Sequence, residues 1–136
     1  MLANFDAPSR EECVASRNIS NTPQQALTLL NDPSFVEASR AFAEKVLSSK
    51  RASDDARLEL ACERALARPI KPKELKSLEE FLALQREHYR SNPDEAKKLM
   101  NVGFAPEPKG ADESELAAWT QVCRVVLNLH ETITRY

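Results

Sequence analysis

The sequence predicts an all-α fold, an irregular bundle of about six helices behind an irregular N-terminal segment, and three observations carry that prediction. Only two glycines occur in 136 residues, whereas tight hairpins and nucleotide-binding parallel sheets consume glycine at positive φ. Prolines stand where helices should begin, at Pro23, Pro33, Pro72 and Pro93; at the first helical position the N–H that proline lacks would have no intrahelical acceptor anyway. Between these starts apolar residues recur at helical spacing, with charges at the other positions. A composition of 42% hydrophobic and 29% charged residues is that of a globular chain. The length suits one domain able to bury about two-thirds of its extended surface. Residues 1–136 are therefore read as a single helical domain, an irregular polar segment over 1–21 and the bundle over 22–136.

The elements follow in order. Up to Asn21 no period of 3.6 is sustained, and Pro8, Ser9, Asn18 and Ser20 favour irregular backbone. Thr22 then offers an N-cap hydroxyl, Pro23 a first helical residue and Gln25 a side chain that can bond back, which predicts a short helix to about Leu30. Asp32 and Pro33 repeat the device and force a sharp corner. In the second helix Phe35, Ala38, Phe42 and Val46 line one face, Val36, Ala43 and Leu47 widen it, and Glu37, Arg40, Glu44 and Lys45 point elsewhere, to about Ser49. Ser53 caps a third helix whose buried face is Leu58, Ala61, Cys62, Ala65 and Leu66, stopped by Arg68-Pro69. Pro72 and Glu74 open a fourth, amphipathic one with a stripe of Leu75, Leu78, Phe81, Leu82 and Tyr89. Asn92 caps a fifth from Pro93, with Asp94 and Glu95 in its first turn and Gly103 in the left-handed position past its end. FAPEPKG then forms a loop, and Asp112 with Glu115 opens a last helix, apolar almost all round from Val122 to Leu129 and therefore central.

Several function classes are excluded by the totals. Nineteen basic against 21 acidic residues leave a net charge of −2, which is not that of a polybasic nucleic-acid binder. No apolar run approaches the roughly 18 residues of a membrane span, and MLANFDAPSREEC lacks a signal-peptide pattern. H-E-x-x-H, the phosphate-binding G-x-x-x-x-G-K-[ST] and G-x-S-x-G are missing. With two histidines and no C-x-x-C pair, no metal site and no cofactor is expected in this domain. Cys62 and Cys123 fall at apolar helix positions and read as small buried thiols, while Cys13 lies in a polar stretch where a reactive or pairing thiol is conceivable. His88 reads as a solvated or capping imidazole, His130 as structural, and Glu79-Glu80 and Asp54-Asp55 as solvated charge. Trp119 shares a face with Leu116 and Cys123 and belongs to the core.

The chemistry that remains lies in the N-terminal segment. Asp6, Arg10, Glu11, Arg17 and Asn21 cluster where apolar content is too low for packing alone to hold the chain. Guanidinium–carboxylate pairs and side-chain bonds to loop amides can hold it, and the same groups can form a binding surface; both readings stay open. Thr22, Asp32, Asn92 and Asp112 are read as structural caps, and no catalytic residue is assigned.

FDAPSREEC, Arg17, the run NTPQQALTLLNDPSFVEASR, Leu66 to Pro69, Trp119-Thr120, Leu127 to Leu129 and Ile133 to Arg135 together resemble a family. It is the C-terminal domain of unknown function found in long planctomycete-type proteins that often carry a cytochrome-c-like haem domain. Departures are Ser20 for threonine, Gln24 for leucine and His130 for aspartate. The resemblance implies a C-terminal part of a longer, periplasmic or secreted protein. It supports a non-catalytic accessory or interaction domain whose partners are other domains of that parent, with Asp6, Arg10, Glu11, Arg17 and Asn21 in the interface. The alternative is a composite active site, polysaccharide-related or haem-linked, that uses the Asp6–Arg17 segment; a stand-alone metal or ligand binder is weaker, given the poor ligand inventory.

Overall fold

Four of the seven helices among the described residues begin on proline. The computed structural model describes residues 23–106 and 112–133, and these contain no strand. The elements are α1 (Pro23–Asn31), α2 (Pro33–Leu47), α3 (Asp54–Leu66), α4 (Pro72–Ser91), α5 (Pro93–Met100), α6 (Glu113–Leu127) and α7 (His130–Ile133). No helix among the described residues is long and apolar enough to cross a membrane. The last turn, α7, was not foreseen; it follows α6 after a two-residue break at Asn128 and Leu129.

Side-chain caps close the first turns of α2, α3 and α6. Asp32 accepts the Ser34 N–H at 2.9 Å, Ser53 the Ala56 N–H at 3.2 Å, and Asp112 the N–H groups of Ser114 and Glu115. Each occupies an amide that the first turn leaves without a carbonyl. Asn92 departs from expectation, because its side-chain amide donates to the His88 carbonyl at 2.9 Å and so closes the end of α4. With φ −131° and ψ 67°, it has no side-chain bond to the first turn of α5, which Pro93 and the acids Asp94 and Glu95 start without it.

Helix α6 is the axis. It packs against α2, α3, α4, α5 and α7, and Leu116, Ala117, Ala118, Trp119 and Thr120 are five successive buried residues, followed by Val122, Cys123 and Val126. Five in a row can be buried only where neighbours surround a helix. The sequence placed this all-round burial in the stretch from Val122 to Leu129; Leu116 to Thr120 carry it instead, while Val125 and Leu127 are half-buried and Leu129, past the helix end, is exposed. Thr120 is satisfied there by donating to the Leu116 carbonyl at 2.7 Å.

Helix α2 is rotated by about one residue from the expected face. Its buried residues are Val36, Ser39, Arg40, Ala43 and Val46, while Ala38 is exposed and Phe35 and Phe42 are half-buried. The rotation follows from Arg40, which was expected to point outward and is only 2% exposed, because the last residue of α5 and the chain after it supply acceptors for its guanidinium.

Among the described residues two backbone positions have positive φ. Gly103 (φ +95°) turns the chain beyond α5 as expected, and a Cβ there would overlap the Glu37 side chain, 2.8 Å from its Cβ. Ala67 closes α3 at φ 54° and ψ 27°, its N–H bonded to the Glu63 carbonyl. An alanine in this region is strained by about 1–2 kcal/mol, of which glycine would return about 0.4–1 kcal/mol to the unfolded chain. Ala67→Gly is therefore expected to stabilise the protein by about 0.5–1 kcal/mol in urea denaturation, seen as a higher midpoint at constant slope.

Candidate functional site

The residues named from sequence as a binding surface, Asp6, Arg10, Glu11, Arg17 and Asn21, lie outside the described residues, as do Thr22 and Cys13. What the structure brings together is a set of arginines, each joining elements distant in sequence.

Arg68 follows the left-handed turn at Ala67, which aims it back across the helix end. Its Nε and Nη2 donate to Glu131 at 2.7 and 2.8 Å, its Nη1 and Nη2 to Glu74 at 2.9 and 3.0 Å, and Nη1 also to the Pro69 carbonyl. Two carboxylates thus hold one planar fork, each bidentate. Glu74 also accepts the Lys71 N–H at 3.0 Å, so one side chain both starts α4 and binds the guanidinium. The Arg68 guanidinium, with the Lys71 N–H second, holds the Glu74 carboxyl at about 2, and Arg68 also pulls Glu131 below its ordinary value. A depression in Glu74 and Glu131 contributes stability that is complete above the ordinary carboxylate value of 4.5 and lost as pH falls toward the folded-state values. Acid titration from about pH 5 to about pH 2 should lower stability, and Arg68→Met should flatten that limb in urea melts at each pH. The effect is modest because water screens the cluster.

Arg86 makes a second junction. Its Nη1 lies 2.6 Å from Asp54 Oδ2 in the first turn of α3, and its Nε and Nη2 grip Glu115 in the first turn of α6, with Nε–Oε2 at 2.9 Å. Glu115 also accepts the Trp119 indole N–H at 2.9 Å. The hydrogen bond from Arg86 is the main cause of the lowered Asp54 pKa, and Glu115 and Asp54 raise that of Arg86. His88 on α4 similarly meets Glu95 on α5 at 2.8 Å, its ring edge against Tyr89.

The third junction shapes a surface. Arg40 Nη1 donates to the Met100 carbonyl and Nη2 to the Ala105 carbonyl at 3.1 Å, while Glu37 accepts the Phe104 N–H at 2.6 Å. Adjacent turns of α2 therefore fasten the backbone on both sides of Gly103. The Phe104 ring stands fully exposed on this fastened loop.

On another side, Cys62, Leu66, Leu78, Val125 and Leu129, with Lys73, Glu74 and Ser77, line a mostly apolar groove of about 360 Å³ between α3, α4 and the end of α6. Cys62 and Cys123 are buried, as their apolar positions implied. Burial pushes the Cys123 thiol up to about 12 and also raises Cys62, so at neutral pH both are packing groups rather than thiolate nucleophiles. Among the described residues no group of three or more His, Cys, Asp or Glu could hold a metal ion.

The junction arginines were not singled out as hubs from sequence. A signal existed for two: Arg40 has buried residues at i−4 and i+3, Val36 and Ala43, and Arg86 has Leu82 and Tyr89. A cation inside the apolar stripe has to find acceptors.

Comparison with known proteins adds the family. The model of PSD1, a protein family of unknown function (DUF1553), matches residues 1–82, which take in α1 to α3 and the first half of α4. No curated protein and no solved structure matches the chain. With more than half of its length inside that match, the chain belongs to the PSD1 family of proteins of unknown function.

Proposed function

We propose that this chain is an interaction domain, without chemistry of its own or a resident cofactor, that docks on other domains of a longer periplasmic or secreted protein of the haem-carrying, planctomycete-type architecture. The observation that carries this reading is Phe104: a fully exposed aromatic ring on a loop fastened by Arg40 and Glu37. An exposed aromatic held in place before binding makes a strong anchor, because little ordering remains to be done when it enters a pocket. The ionisable clusters support the same reading, since Arg68 and Arg86 are each occupied by two carboxylates at helix junctions. Asp6, Arg10, Glu11, Arg17 and Asn21 would supply a polar part of the interface.

The test uses the parent protein's upstream domains, co-expressed with this chain. Phe104→Asp is expected to leave the melting temperature unchanged and weaken association by about tenfold or more, the loss typical of an anchor residue. Asp6→Ala with Arg10→Ala should weaken it further. Unchanged association in both variants would overturn the proposal.

A further inference from the structure

A small cavity of about 20 Å³ between α1, α2 and α6 is lined by Leu29, Phe35, Ser39, Arg124, Leu127 and Asn128. Two of its lining residues carry buried polar atoms without a hydrogen-bond partner among the described residues, and they are of opposite kind: Arg124 Nε, a donor, and Asn128 Oδ1, an acceptor. The other Arg124 nitrogens are engaged, Nη1 with Gln121 Oε1 at 2.8 Å and Nη2 with the Leu30 carbonyl at the end of α1. Ser39, 2% exposed, spends its proton on the Phe35 carbonyl at 2.7 Å and keeps lone pairs to offer. The residues that line the cavity therefore carry one charged donor and two acceptors.

We propose that it binds a single water molecule, which accepts from Arg124 Nε–H and donates to Asn128 Oδ1 and Ser39 Oγ. The volume suits one water and the number of partners is the usual one for a buried water. The chemistry selects against other small species. Chloride would suit the guanidinium but has no proton for the Asn128 oxygen, and ammonium would be repelled by Arg124. Leaving two desolvated polar atoms unpaired costs more than immobilising one water. The water would tie the end of α1 to α2 and α6.

The test is water–protein cross-relaxation by NMR on the full chain. A long-lived water gives the Arg124 Nε–H a cross-peak of opposite sign in laboratory-frame and rotating-frame experiments. That peak is expected in the wild type, retained in Asn128→Asp, which keeps the acceptor, and lost in Asn128→Leu, which replaces the acceptor with methyl groups. The wild-type spectrum decides even if the leucine variant does not fold. A wild type without the peak, or with its Arg124 Nε–H in contact with a protein group from residues 1–22 instead, overturns the site, as does a full-intensity peak in folded Asn128→Leu.

Discussion

Replacing Trp119 by alanine is expected to destabilise the protein by about 4 kcal/mol, within the range for truncating a buried aromatic. The ring is 0% exposed in the middle of α6, the helix that packs against α2, α3, α4 and α5 alike. Its loss removes more than packing. The indole N–H is one of the groups that hold Glu115 in place for Arg86, and Arg86 in turn reaches Asp54 at the start of α3. Trp119→Ala should therefore also loosen the Arg86 junction. In a double-mutant cycle, Trp119→Ala and Arg86→Met should couple by about 0.5–1 kcal/mol rather than add. Since small domains have only about 5–15 kcal/mol in total, equilibrium urea unfolding should show a clear loss of midpoint or a partly unfolded variant. A change under about 1 kcal/mol would contradict the central position of the ring.

Arg40→Met should cost about 2–3 kcal/mol, from two buried or half-buried carbonyls left without a donor. Methionine fills the space of the aliphatic stem, so the loss isolates the guanidinium bonds to the Met100 and Ala105 carbonyls. A local signature accompanies the global one. Amides from Gly103 to Ala105 should exchange with solvent well before those of α6, because the Glu37 bond to Phe104 would be what still ties that backbone to α2. Equal exchange in the two proteins would mean that the loop holds itself without α2.

The reason some of this was legible in sequence is local. Helix starts depend on two or three adjacent residues, so Asp32-Pro33, Ser53 and Asp112 could be read directly, and Gly103 likewise. Asn92 was misplaced because the same side chain suits the end of one helix and the start of the next, and only the backbone at φ −131° decides between them. The rotation of α2 was hidden for a different reason. Phe35 and Phe42 outweigh Arg40 in any tally of hydrophobicity, yet the choice is made by carbonyls some 60 residues away, at Met100 and Ala105. The Arg68 cluster has the same character: Leu66 to Pro69 reads as a helix stop, but its second partner, Glu131, arrives 63 residues later. The surface residues proposed from the polar segment rest on composition and resemblance, which carry no geometry.

That α6 follows in sequence the helices it joins has a consequence for how the protein is made. During synthesis α2, α3, α4 and α5 all emerge before the helix against which they bury Val46, Leu58, Leu82 and Met100. Until about residue 127 has left the ribosome, the nascent chain holds several amphipathic helices and no partner to close them. Folding should then be a late, cooperative event, and chains released before Glu113 should be substrates for chaperones and proteases rather than stable intermediates.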